Sequence, residues 1–183
     1  MTQRLAIDAC AALHAKQTEA LVVLEHFLER DVEMLMSRGV HGETVDMSLR
    51  EWLGRHGVEP HRVPRQKTKA VRNKCNPRRL PGRKDLELVA LARDKDAPVL
   101  THDDAAAEAT RLVGLVAVDL CDIIGFAARE GWVGAAELAT LSRALDEHAW
   151  RAPDWKGDIQ STVAERPRYE RSVAALRAGL ALM

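Results

Sequence analysis

Apolar residues fall into two rhythms along this chain, short unbroken runs and longer stretches at helical spacing, and the two alternate. Leu5-Ala6-Ile7 is a short apolar run reaching Asp8, and the small, helix-favouring residues Ala9 to Ala15 follow it, which predicts a first strand and a first helix. Leu21, Val22, Leu24, Phe27 and Leu28 keep helical period within Glu19 to Leu28, and Val32 to Met36 is read as a strand. After Gly39, the series Val40, Val45, Leu49, Trp52 and Leu53 predicts one helix ending at Gly54 or Gly57, with Glu43 in its first turn. Val58 to Val63 makes a third short strand. Pro64, Pro77 and Pro81 then punctuate a polar stretch, which predicts a loop or a short exposed helix around Lys67 to Lys74.

The central stretch runs from Pro81 to Asp104. Leu88, Val89, Leu91 and Ala92 recur at helical spacing after the Pro-Gly breaker, and Val99-Leu100-Thr101 follows Pro98 and stops at Asp103 and Asp104. The pattern is helix, turn, buried strand, acidic end. Downstream come a helix over Ala105 to Arg111, a strand over Leu115 to Val118, a helix over Asp122 to Glu130 ended by Gly131, and a helix over Ala135 to Leu145. Irregular chain from Trp150 to Gly157 precedes a helical tail, Val163 to Leu182, interrupted at Pro167.

Strands alternating with helices imply βαβ units, hence a three-layer α/β domain whose mainly parallel sheet is covered on both faces. A length of 183 residues suits one core. The expected organisation is an α/β domain over 1–145 and a helical C-terminal extension over 146–183 packed on it.

Charge changes this picture through its distribution. The chain is neutral overall, yet Arg62, Arg65, Lys67, Lys69, Arg72, Lys74, Arg78, Arg79, Arg83 and Lys84 are ten cations in one acid-free segment, leaving 17 cations against 27 acids elsewhere. Such a segment is a candidate surface for a polyanion. Three cysteines, Cys10, Cys75 and Cys121, form neither a CxxC pair nor a disulfide spacing, which fits reduced cytoplasmic thiols. No apolar run approaches 18 residues, so no membrane segment is expected.

Four acids stand where strands end or helices begin: Asp8, Glu43, Asp85 and Asp103. Each also has a structural reading. Asp8 and Asp85 could be helix N-caps, Asp104 suits a cap better than a ligand, and Glu43 and Glu87 suit solvated first-turn acids. His102 suits an ordinary exposed or hydrogen-bonded histidine, and Trp52, Trp132, Trp150 and Trp155 suit core or interface packing better than base stacking.

In order and spacing, Ile7-Asp8, Glu43, the helix opening Asp85-Leu-Glu-Leu-Val-Ala-Leu-Ala, and the strand end Leu100-Thr-His-Asp103 resemble the PIN-domain nucleases over roughly residues 4–130. The resemblance implies a Mg²⁺- or Mn²⁺-dependent endoribonuclease. In it Asp8, Asp85 and Asp103 would hold metal, and Glu43 would complete the catalytic acids. Asp104, Glu87 and Asp122 are reserve acids. It also implies an RNA substrate, a homodimer and, for a toxin member, an antitoxin protein. Hard carboxylate oxygens suit such ions, and a cluster of them repels itself unless a cation neutralises it. Two other readings stand beside this one. The first is an inactive RNA-binding scaffold of the same fold, and the second is a phosphotransfer or phosphatase domain. The latter needs a strand-end lysine or a second aspartate beside the nucleophile in the first loop, and Asp8-Ala9-Cys10-Ala11 lacks the second aspartate.

Overall fold

The computed structural model describes residues 3–147. Five strands, β1 (Gln3–Ile7), β2 (Val32–Ser37), β3 (Pro60–His61), β4 (Val99–Leu100) and β5 (Ala117–Val118), form one sheet in the order β3-β2-β1-β4-β5. Every pairing is parallel. The helices are α1 (Ala9–Gln17), α2 (Leu21–Leu28), α3 (Arg38–His41), α4 (Met47–Arg55), α5 (Arg65–Arg72), α6 (Arg83–Lys95), α7 (Asp104–Leu112), α8 (Leu120–Arg129) and α9 (Ala135–Glu147). A single 3-10 turn, Pro77–Arg79, joins α5 to α6. The expected α/β class is what folds.

Parallel strands covered by helices on both faces are apolar along their whole length rather than alternately. Leu5, Ala6 and Ile7 on β1, Leu35 and Met36 on β2, and Val99 and Leu100 on β4 are all fully buried. Helix α6 lies on β1 and β2 and packs in turn against α3, α5 and α7. Helix α2 lies on β2 and packs against α1 and α8. Phe27, Phe126 and Trp132 meet there with ring centroids 5.0 to 5.7 Å apart, and the Arg30 guanidinium covers Trp132 at 4.2 Å. Trp52 is buried and donates its indole N–H to Glu25 at 2.7 Å. Both tryptophans are therefore packing residues.

The expected helix over Val40 to Leu53 is two helices. Asp46 interrupts it by capping α4, its carboxylate accepting from Leu49 N–H at 2.9 Å, and Val45 stands 81% exposed instead of joining the apolar stripe. Glu43 consequently lies between α3 and α4 rather than in a first turn. The third strand shrinks to Pro60–His61, an edge position where the missing proline N–H is tolerated. Helix α8 starts at Leu120, two residues early, because Asp119 and Asp122 form a capping box with bonds of 2.9 and 3.0 Å. Helix α2 starts two residues later than its periodicity suggests, after Glu19 at φ +59°. The expected tail, with Trp150 and Trp155, lies outside the described residues. Among these, no helix is long and apolar enough to cross a membrane.

Candidate functional site

Strand order reverses between β1 and β4: the chain passes from β1 outward through β2 and β3, then returns to lay β4 and β5 on the other side. In open parallel sheets the crevice beyond the carboxyl ends of the strands at such a reversal is where ligands bind. Ile7 pairs with Leu100, so the residues that follow, Asp8 on one strand and Thr101 to Asp103 on the other, emerge together at this crevice.

Asp8 is 3% exposed, and its backbone N–H donates to Leu100 O at 3.0 Å. It occupies the N-cap position of α1 without making a capping bond. Its carboxylate instead accepts from Thr101 Oγ1 at 3.2 Å. The same hydroxyl oxygen accepts from Asp103 N–H at 3.1 Å, so one buried threonine orders both acids. Asp103 in turn caps α7, Oδ1 accepting from Ala106 N–H at 2.7 Å, while Asp104 is merely the first residue of that helix. The cap expected at Asp104 is thus made by Asp103, while Asp8 holds the expected N-cap position of α1 with its carboxylate turned to Thr101.

Helix α6 brings the third acid. Asp85 is not its cap: Gly82 is, and Asp85 lies in the first turn with its carboxylate turned back to the Gly82 N–H. A Cβ on Gly82 would stand only 2.9 Å from Asp85 Oδ2, so glycine makes room for that return. Glu43 reaches the same end of the sheet from the segment after α3, where its Oε1 pairs with Lys84 Nζ of α6 at 2.7 Å. Gly39 allows this approach, since a Cβ there would fall 2.5 Å from Glu87 Oε2.

The electrostatics of these groups place them in one region. Burial pushes the Asp8 carboxyl above the ordinary range, and the charge of Asp103 adds to this. Thr101 and the N–H groups of Ala9 and Cys10 pull the other way. Asp85 is pushed up to about 6 by burial first, then by Asp8, Asp103 and Glu43. The Cys10 thiol, on the first turn of α1, is raised by burial and then by Asp8, Glu43, Asp85 and Asp103. The charges of Asp8, Asp103 and Glu43 thus all reach Asp85, and those of all four acids reach Cys10. No cation pairs with Asp8, Asp85 or Asp103 among the described residues. Equally, no three His, Cys, Asp or Glu side chains there stand as a ready metal-binding group.

The reserve acids have other work: Glu87 pairs with Arg83 at 3.1 Å, and Asp122 belongs to its capping box. His102 is edge-on to His14 at 4.9 Å between centroids. Burial holds both imidazoles below their usual range, His14 at about 4. Pattern reasoning singled out neither the Thr101 hydroxyl nor Cys10. Their signal was position, since Thr101 ends a strand and Cys10 follows Asp8 by two.

The basic segment splits in space. Lys67 pairs with Asp94, Arg79 with Glu108 at 3.7 Å, Arg83 with Glu87 and Lys84 with Glu43. Arg62, Arg65, Lys69, Arg72, Lys74 and Arg78 are exposed and make no ion pair among the described residues. No protein-family model matches the chain, and no curated protein matches it.

Proposed function

We propose that this chain is a divalent-metal-dependent nuclease that hydrolyses phosphodiester bonds of RNA, acting at the carboxyl end of β1 and β4. The observation that carries this reading is the meeting of Asp8, Glu43, Asp85 and Asp103 at the point where strand order reverses, with three of them lacking any cationic partner among the described residues. Keeping a buried Asp8 and a half-buried Asp85 ionised beside the exposed carboxylates of Asp103 and Glu43 is costly, and a hard divalent cation is the partner that relieves it.

The donor set fits Mg²⁺ or Mn²⁺ by its chemistry, though the side chains are not preassembled around one. Asp8, Asp85 and Asp103 would hold the ion; Asp103 caps α7 through Oδ1, which leaves Oδ2. Bound there, such an ion supplies Lewis-acid stabilisation of phosphate charge and a lowered pKa for water. The protein's own part is orientation. Thr101 fixes Asp8 and Asp103 relative to each other, and the return of Asp85 to Gly82 fixes the third carboxylate on its helix. Glu43, held by Lys84, stands at the margin, where it would orient water or substrate. RNA ranks above DNA because the sequence resemblance carries it.

The test uses end-labelled RNA and single-stranded DNA with the wild type, Asp8→Asn and Asp103→Asn, in Mg²⁺ or Mn²⁺ and then in EDTA. Asparagine is as good an N-cap as aspartate, so Asp103→Asn keeps the fold. The expected result is cleavage abolished by EDTA and reduced roughly 100-fold or more in each variant. A second readout is thermal: an ion at 100 times its dissociation constant adds about 2.7 kcal/mol to wild-type stability. Equal cleavage by all three proteins would reject the assignment.

A further inference from the structure

Helix α5 is fastened to α6 by a small apolar cluster of its own. Val71 and Cys75 are buried against Leu86, Val89 and Ala90, and Lys67 is tied to Asp94 across the same seam. Thr68, Val71 and Cys75 define the inward side of the helix and the turn that follows it. At 3.6 residues per turn, Arg65, Lys69 and Arg72 fall within about 60° of one another, roughly 120° round from Val71. All three are exposed and none has an ion-pair partner among the described residues. Arg62 precedes this stripe, and Lys74 and Arg78 continue beyond it.

From this geometry we infer that the outer face of α5 is a docking ridge for the RNA backbone, held in fixed register to the carboxylate site through α6. The inference deepens the nuclease reading and rests on it for the identity of the ligand. Of the ten cations that the sequence offers, six are exposed and make no ion pair among the described residues, so phosphate contact falls first to those six.

An anionic lipid surface fits the ridge poorly. Helices that lie in a membrane interface expose large apolar residues beside their cations, and the one large apolar residue of α5, Val71, is 1% exposed. Aromatic residues make up 4% of the chain, and no aromatic residue lies in α5. Contact is therefore with phosphates rather than stacked bases, insensitive to sequence and steep in salt.

The test measures binding, with cleavage silenced by EDTA. A fluorescein-labelled single-stranded 20-mer RNA is titrated with the full chain and followed by anisotropy from 50 to 300 mM salt. The ridge variant is Arg65→Gln/Lys69→Gln/Arg72→Gln. A control of equal charge is Arg55→Gln/Arg111→Gln/Arg143→Gln, three exposed cations outside the segment. The ridge variant should bind about tenfold or more weakly at 50 mM salt, and its slope of log affinity against log salt should fall by about two, the value for three lost single-strand phosphate contacts. The control should stay within about threefold of wild type.

Equal weakening of both variants overturns the ridge, leaving only net charge at work. Absence of wild-type RNA binding, or stronger ridge-dependent binding to phosphatidylserine vesicles than to RNA, overturns it as well. The two proposals fail separately. Metal-dependent cleavage that survives unchanged in the ridge variant removes the ridge and keeps the nuclease; ridge-dependent binding without cleavage does the reverse.

Discussion

The hydroxyl of Thr101 donates to Asp8 Oδ2 across 3.2 Å, joining two residues 93 positions apart in the chain. Because the same oxygen accepts from Asp103 N–H, both of its hydrogen-bonding roles serve the candidate site. Thr101→Val keeps the shape and removes both bonds, leaving a buried carboxylate oxygen and an amide unsatisfied. The expected loss is about 1–3 kcal/mol, with a lower urea midpoint, an unchanged m-value, and recovery in Thr101→Ser. Wild-type stability in the valine variant would show that the hydroxyl organises nothing.

Asp85 gives a pH prediction. Its carboxyl lies at about 6 in the folded protein against an ordinary 3.8, chiefly through burial and then through its acidic neighbours. The folded state thus holds this proton more tightly than the unfolded state does. The resulting stability is complete below pH 3.8 and disappears as pH rises through about 6, above which ionised Asp85 burdens the fold. In EDTA, Asp85→Asn should be more stable than wild type at pH 7.5 by about 1–2 kcal/mol, a figure reduced for the partial exposure of the group. The gap should close below pH 4. Chemical denaturation of both proteins across that range checks the sign, and a destabilised variant at pH 7.5 would contradict it.

Gly82 separates stability from site geometry. Its backbone, at φ −56° and ψ 159°, is open to any residue, so alanine there brings no torsional strain. The added Cβ would nonetheless meet Asp85 Oδ2 at 2.9 Å and turn that carboxylate aside. Gly82→Ala should unfold within about 1 kcal/mol of wild type, yet gain much less thermal stability on adding Mn²⁺. An unaltered Mn²⁺ response would mean that Asp85 takes no part in holding the ion.

Sequence pattern revealed most where burial is two-sided. Leu5-Ala6-Ile7 and Val99-Leu100 announce strands because helices cover both faces, so no polar residue interrupts them. It misled where apolar spacing had no core to face: Val45 fits a helical stripe on paper and stands in solvent, because Asp46 starts a new helix behind it. The two-residue strands β3 and β5 owe their limits to partners, Met36 beside Pro60 and Leu100 beside Val118, rather than to their own residues. Asp103 and Asp104 are interchangeable as sequence; the Thr101 hydroxyl, which accepts from the Asp103 N–H, distinguishes them. The acids that answer Lys67, Arg79 and Lys84 are 27, 29 and 41 positions away, so a segment that reads as uncompensated is partly neutralised once folded.

Strand β4 is only two residues long, and two backbone bonds, Ala6 N–H to Pro98 O at 2.9 Å and Asp8 N–H to Leu100 O at 3.0 Å, align it with β1. A single-residue deletion between Pro98 and Thr101 would invert which side chains look inward and carry Asp103 to the wrong side. The exposed turns at Gly57 and Gly114 impose no such alignment, so length variation can accumulate there while the spacing from residue 98 to residue 103 stays fixed.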